Sequence, residues 1–447
     1  MDPLLLARLQ FATTTSIHFL FVLVTLGLVT LLLYLQTAWT ITRKPAYERL
    51  TRFWGTLYVI NYVLGIASGI LMEFQFGLNW SGLSRYVGNV FGAPLAMETL
   101  VAFFLESTFL GMWIFGWHRL RRGVHLALLW GVALTAYASA FWVLVANSWL
   151  QNPVGYEVRD GIAHLTDFSA LLTNPTLGMA LGHVLAAALL TGGMLMAGIS
   201  SWHLIRRTPD FALFRTSLRI GLVAATGAVI LVQGFGFAQF GAVGPVQPTK
   251  YGSEAAKDAA VADWTARFGP GDYTPPVLAN GGLGFMILIG LGLGLLVFLV
   301  PLLYRDWLIR LRFPLYVLLL AVPLPFVASI LGWLAREVGR QPWMAYGLLP
   351  VERAVSGVGG GVMLVSFLGF SLLLGALTVA NWTLIARHAA RGALDPALGR
   401  PPGAGPAGPD DDLPDDAFDD AFGNAFGNVS GTPTDQPDRS RYTPAPA

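Results

Sequence analysis

The chain has no cysteine among its 447 residues. That removes disulfides, thiolate-held metals, iron–sulfur clusters and thioether-attached c-type haem together, so a metal or cofactor has to be held by His, Met, carboxylate or backbone groups. Charge is scarce too. Asp, Glu, Lys and Arg make up 12% of residues, against about 25% in an average soluble domain. Nine of the acids are Asp residues crowded after residue 409, which leaves the first 400 residues poorer still. A soluble fold could not cover its surface with so little charge. The formal net charge of +2 offers no basic field, and no nucleic-acid partner is expected. The opening residues, MDPLLLARLQ, lack the basic n-region and small-residue cleavage site of a secretory signal. The first apolar segment is therefore expected to stay in the mature protein.

What the chain has instead is long apolar runs. Hydrophobic residues make up 54% of it. Runs long enough to cross about 30 Å of hydrocarbon fall near residues 12–38, 54–76, 95–117, 124–149, 177–204, 216–240, 281–304, 313–336 and 361–386. Lipid offers no partner to backbone N–H and C=O groups, so each run has to be helical. The expected fold is an all-α integral membrane protein, a bundle of nine transmembrane helices. The loops after spans one, three, five and seven and the stretch after span nine hold seventeen basic residues, against about nine on the opposite face. By the positive-inside rule the N-terminus is outside and the C-terminus cytoplasmic. Two outer connections are long, residues 150–176 and 241–280. Loops of that length without a core of their own are usually functional or disordered. After residue 395 the chain turns Pro-, Gly- and Asp-rich, so residues 1–395 are expected to form the membrane domain and 396–447 a disordered cytoplasmic tail.

A few polar residues interrupt the apolar runs: His18 in span one, Glu98 and Glu106 in span three, His183 in span five, and Glu337 with Arg340 closing span eight. Charge at membrane depth is costly and usually marks function, with helix–helix bonding as the alternative. Glu98 and Glu106 are eight residues apart, so a straight α-helix points them about 80° apart and sets Glu106 about 12 Å deeper. His18, Glu98, His183, Glu337 and Arg340 converge from four helices, running in both directions, within about two turns of the outer ends. The residues thus read as a cofactor layer in the outer half of the membrane, with a buried acid reaching inward. Imidazole and carboxylate suit haem iron, and a buried carboxylate suits a proton relay. Glu337 and Arg340 read equally as an ordinary helix-end ion pair.

The segments RLQFATTTSIHFLF, EFQFGLNWSGLSRYVGNVFGAPLAMETLVAFFLEST, NSWLQNPVG and GWLAREVGRQPW, in this order, resemble subunit I of the cytochrome bd-type quinol oxidases. The resemblance runs from residue 8 to about 350. It implies a membrane terminal oxidase with three haems, a low-spin b, a high-spin b and a d, that oxidises quinol and reduces dioxygen to water. It further implies a smaller membrane subunit II, and in some assemblies a small single-helix subunit, embedded together in lipid. By position, His18 and Glu337 correspond to ligands of the two high-spin haems and His183 to a ligand of the low-spin haem. Glu98 corresponds to a carboxylate beside the high-spin pair, and Glu106 with Ser139 to an inward proton path. Trp333 and Arg340 correspond to residues packed on the haems and their propionates.

Two departures stand out. The family carries a Met ligand for the low-spin haem within a pattern like F-R-x-M-x-G-L-G in span seven, whereas this chain reads GFMILIGLGLG, with Leu288 at the Met position and Met286 at the Arg position. A five-coordinate haem, a shifted Met286 and loss of that haem are three readings of this. In the loop 241–280, expected to bind quinol, Gln247-Pro248-Thr249-Lys250 resembles the family's Q-P-x-K. The Glu expected five residues after the Lys is Ala255, and Glu254 stands one place early. A divergent haem protein fed by another electron donor is the nearest rival. A transporter using Glu98 and Glu106 is the rival from another class, but it lacks the internal repeats and broken helices of that class.

Overall fold

The computed structural model describes residues 2–394 and 398–399. The expected boundary at 395 and the tail beyond 399 lie outside the described residues. Among the described residues nine helices are long and apolar enough to cross a membrane. The first two spans are α1 (Pro3–Thr42) and α2 (Pro45–Leu78). The third is composite: α3 (Ser81–Ala96), a π-helical turn (Met97–Phe103) and α4 (Phe104–Phe115). Span four, α5 (Arg122–Gln151), runs into an antiparallel hairpin of β1 (Tyr156–Arg159) and β2 (Ile162–Leu165), paired Tyr156 to Leu165. A short α6 (Phe168–Leu172) leads into α7 (Pro175–Arg206), and α8 (Phe211–Val243) returns. The next connection carries α9 (Pro248–Tyr251) and α10 (Glu254–Phe268). Span seven is α11 (Val277–Gly294), ending in a tighter 3-10 turn over Leu295–Phe298. After α12 (Trp307–Leu311), helices α13 (Phe313–Ala321) and α14 (Pro323–Val338) make span eight. A second small hairpin, β3 (Trp343–Ala345) with β4 (Leu349–Pro350), and α15 (Val351–Ala354) precede span nine, α16 (Gly360–Arg391).

The helices start where the sequence supplies caps. The Asp2 carboxylate accepts from the Leu4 N–H at 3.0 Å with Pro3 in the first turn, and Asn174 accepts from the Thr176 N–H at 3.1 Å ahead of Pro175. Both satisfy otherwise orphaned donors, and Pro costs nothing at that position. Inside the bundle, glycine decides how closely α1, α7 and α8 approach. A Cβ on Gly27 would stand 2.1 Å from the Ala188 carbonyl oxygen, and Cβ atoms on Gly193 and Gly221 would each stand 2.8 Å from the facing backbone. Small residues are what let backbones meet in lipid.

Every expected span overlaps an observed one. The third is the exception in detail, because its helix begins at Ser81 rather than near 95 and passes through the π turn that holds Glu98. The expected 80° and 12 Å between Glu98 and Glu106 assume straight α geometry and do not carry across that wider turn. The two long connections carry structure of their own, and α10 covers the polar stretch SEAAKDAAVADW expected to be helical. The first holds the β1–β2 hairpin. In the second, Trp264 of α10 lies 5.0 Å from Trp343 and 5.4 Å from Tyr346 between ring centroids, and Tyr273 stacks on Trp343. That connection therefore shares an aromatic core with the β3–β4 hairpin.

Candidate functional site

Two clefts meet at α14. The larger, about 1990 Å³ with open solvent included, lies among α1, α2, the third span, α5 and α14. It is lined by His18, Glu98, Glu106, Ser139, Trp333, Glu337 and Arg340, so seven of the expected site residues converge there. The second, about 1330 Å³, lies among α7, α8, α11 and α14 and is lined by His183, Met286, Lys250 and Trp333. Typical small-molecule clefts hold about 300–1,000 Å³. Phe19, Leu144, Val184 and Trp333 line both clefts and form the wall between them. Phe19 and Trp333 stack at 5.1 Å between centroids.

Hydrogen bonds fix the tautomer of both histidines. The Ser68 hydroxyl donates to the Gly65 carbonyl at 2.6 Å, so the contact of His18 Nδ1 with Ser68 Oγ at 2.9 Å has the ring nitrogen as donor. His183 Nδ1 likewise donates to the Val232 carbonyl at 2.9 Å. Each imidazole then keeps the Nε2 lone pair, and an Nδ1–H bonded to the protein is the usual support behind a metal-ligating histidine. A glycine lies against each ring: a Cβ on Gly69 would stand 3.2 Å from His18 Cε1, and one on Gly236 3.1 Å from His183 Cε1. His125 and His203, by contrast, bond through both ring nitrogens, to Gln36 and the Trp113 carbonyl and to Thr208 and the Ala389 carbonyl. They are committed to structure.

At the foot of α14, the Glu337 carboxylate accepts from Asn147 Nδ2 at 2.7 Å and from Arg340 at 2.9 Å. The same Asn147 amide accepts from Arg336 Nε at 2.7 Å. Asn147 thus bridges Arg336, which lines the smaller cleft, to Glu337, which lines the larger. Arg340 is buried with Nε and Nη1 unbonded, and the Trp333 indole N–H is unbonded as well. These donors suit the propionate groups of a haem, and two Nε2 lone pairs with clefts of this size suit the macrocycles.

The acids sit in one cleft. Glu73, Glu98, Glu106 and Glu337 line the larger, while the described lining of the smaller holds no carboxylate. Ser139 donates to Glu98 at 2.8 Å, so it is bonded to that acid rather than to Glu106. Glu106 is buried with Oε1 unbonded.

Of the expected donor-side residues, Lys250 enters the smaller cleft and donates to the Arg336 carbonyl at 3.3 Å. Burial pulls its ammonium from 10.5 down to about 7; Arg336 adds to this, Glu337 opposes it and Arg340 adds again. Gln247 is buried elsewhere, donating to the backbone and side-chain oxygens of Gln151. Glu254 faces away, 83% exposed and 3.5 Å from Lys257. Met286 lines the smaller cleft with His183, its Sδ 2.3 Å from where a Cβ on Gly332 would be, whereas Leu288 is 64% exposed outside it. Sequence reasoning assigned nothing to Glu73, Arg336 or Asn147, although they lie inside the quoted EFQFGLNWSGLSRYVGNVFGAPLAMETLVAFFLEST, GWLAREVGRQPW and NSWLQNPVG.

The family described as cytochrome bd terminal oxidase subunit I matches residues 6–266 and 255–393. The chain belongs to that family. Cytochrome bd ubiquinol oxidase subunit 1 of Bacillus subtilis (strain 168) is 35% identical over 437 residues, covering 85% of this chain and 92% of the relative. Cytochrome bd-II ubiquinol oxidase subunit 1 of Escherichia coli (strain K12) is 46% identical over 252 residues, 56% of this chain and 49% of that protein. The bd oxidase of Geobacillus thermodenitrificans has a chain of the same fold, with a TM-score of 0.76 at 24% identity, covering 88% of this chain and 99% of that one. As a family member the chain is a bacterial membrane protein of respiratory electron transport, and haem is its implied cofactor.

Proposed function

We propose that the chain oxidises quinol at the smaller cleft and supports reduction of dioxygen to water at the larger one. The observation that carries this reading is the pair of histidines held with Nε2 free, one in each cleft, across a wall one ring pair thick. His18 and Glu337 would hold the two high-spin haems, b and d, and His183 the low-spin b haem with Met286 as its partner. When bound, these groups supply electron storage and the metal that binds oxygen. Trp333 packs between the two sites, and Arg340 offers its unbonded N–H groups to a propionate.

The remaining steps belong to the protein. Lys250 holds a positive charge at the mouth of the cleft where a quinol oxygen would bond. Glu98, bonded to Ser139, and Glu106 hold the protons that water formation consumes. With the orientation given by the basic loops, quinol protons leave on the outer side and the consumed protons come from the cytoplasm. Charge is separated without a pump. A smaller subunit II, and in some assemblies a single-helix subunit, would cover apolar faces such as that of α16, where Val362, Val365 and Leu372 are exposed. The membrane domain spans residues 1–395, and 396–447 is a cytoplasmic tail.

Reduced-minus-oxidised optical spectra of the purified complex test this reading. The intact complex is expected to give low-spin b, high-spin b and d signals, and His183→Ala to lose only the low-spin b signal. Unchanged low-spin absorbance in that variant would sink the assignment.

A further inference from the structure

Glu106 has neighbours that the reading above leaves unused. Tyr58 and Tyr62 of α2 both interact electrostatically with it, and both are buried, 0% and 5% exposed. Tyr62 lines the same cleft as Glu106 and meets the Ser107 side chain, while the Tyr58 hydroxyl bonds to nothing. Four residues apart, they share one face of the helix, their ring centroids 5.8 Å from each other. Phenylalanine would pack as well in an apolar span without burying an unpaired hydroxyl. Tyr137 of α5 also faces Tyr58, and its hydroxyl lies 2.7 Å from Thr30 Oγ1. Thr30 already donates to the Leu26 carbonyl, so Tyr137 is the donor in that pair. One turn further along α1, Tyr34 hydrogen-bonds Tyr47, near the start of α2. Tyr34 is 40% exposed. Hydroxyls therefore follow one another from the turn between α1 and α2 to Glu106.

We propose that Tyr47, Tyr34, Thr30, Tyr137, Tyr58 and Tyr62 form a hydroxyl relay that delivers protons to Glu106 from that end of the bundle. Each oxygen takes a proton on a lone pair and passes its own proton onward. Only O–H bonds change, no electron moves, and one proton reaches the Glu106 carboxylate for each taken from water. The relay rests on the reading of Glu106 as the acceptor of consumed protons.

The test uses the full complex in sealed vesicles, with a pH-indicator dye following proton uptake after oxygen is added to the reduced enzyme. Tyr58→Phe/Tyr62→Phe keeps both rings and is expected to preserve the haem spectra. Its proton uptake is expected to slow about tenfold, each factor of ten being about 1.4 kcal/mol of barrier, with a larger solvent isotope effect. Glu106→Gln should block the same uptake. If Glu106→Gln blocks uptake and the double Phe variant does not slow it, the relay is wrong and the reading of Glu106 stands. Normal uptake in Glu106→Gln overturns both. Should the double variant lose haem, Tyr58→Phe alone carries the comparison, and unchanged uptake in it overturns the relay.

Discussion

The two clefts are built from different chemistry. Four carboxylates line the one that holds His18, whereas Lys250 and Arg336 line the one that holds His183, beside no described carboxylate. Acids in apolar surroundings store protons, and cations hold anions or polarise oxygens. On the function proposed above, proton consumption would fall on one side of the Phe19–Trp333 wall and donor binding on the other.

Six substitutions break or sharpen that contrast. The largest effect is expected from His18→Ala, which removes the free Nε2 from the acidic cleft. One high-spin haem signal and nearly all oxygen consumption should vanish, while the low-spin b spectrum stays. Ser68→Ala, which only frees the ring to turn, should weaken haem retention by about ten- to a hundredfold, as loss of a supporting partner usually does. A full haem complement in His18→Ala would refute the assignment.

Next comes the pair Met286→Leu and Leu288→Met. The first should shift the potential and optical band of the low-spin b haem, since a thioether ligand raises a haem's potential. The second should leave both unchanged, because residue 288 faces out of the cleft. A shift in Leu288→Met with none in Met286→Leu would reverse the reading.

Lys250 gives a smaller, pH-dependent effect. With its ammonium pulled down to about 7, it loses charge as pH rises through that value. A charged hydrogen bond contributes about 1.5–3 kcal/mol, so the KM for quinol should rise by about tenfold above pH 7. Lys250→Met should have the high KM at every pH. The stability consequence has the opposite sign: between about 7 and the ordinary lysine value the unfolded chain binds the extra proton, so stability rises with pH there. A wild-type KM that stays flat from pH 6 to 8 would remove Lys250 from the donor site.

The smallest effect should come from Glu254→Gln. This side chain is 83% exposed and points to Lys257, so stability should change by no more than about 0.5 kcal/mol and quinol kinetics should not move. A large rise in KM would put Glu254 back at the site.

Most of this layout was legible because lipid makes polar residues conspicuous. His18, Glu98, Glu106 and His183 stand out inside apolar runs, and all four line a cleft. Asn147 and Arg336 did not stand out, because they sit near the ends of spans where polar residues are ordinary. Their roles depend on α5 meeting α14 and on one amide bonding in two directions. Glu254 looked plausible from its distance to Lys250 along the chain. Between them, Ser253 caps α10 and turns the next residue to solvent. The π turn was invisible to apolar periodicity, which reads where a helix is and not how tightly it winds. Met286 and Leu288 show the same limit. Spacing says they point opposite ways, and only the packing of α11 on α14 says which one enters the cleft.

The aromatic cluster around Trp264 has a mechanical consequence. It joins the chain just after Lys250 to the hairpin just after Glu337 through rings rather than through the backbone, aided by the 2.8 Å bond between the Thr249 and Tyr346 hydroxyls. A protease cutting between Tyr273 and Pro276 would sever the polypeptide yet leave these rings interlocked. The nicked protein should migrate as two pieces in detergent denaturant while remaining one spectroscopically intact particle before it. The connection after α8 is thus a clasp between α10 and the β3–β4 hairpin, and an attachment point for a label or a fused domain that leaves both clefts in place.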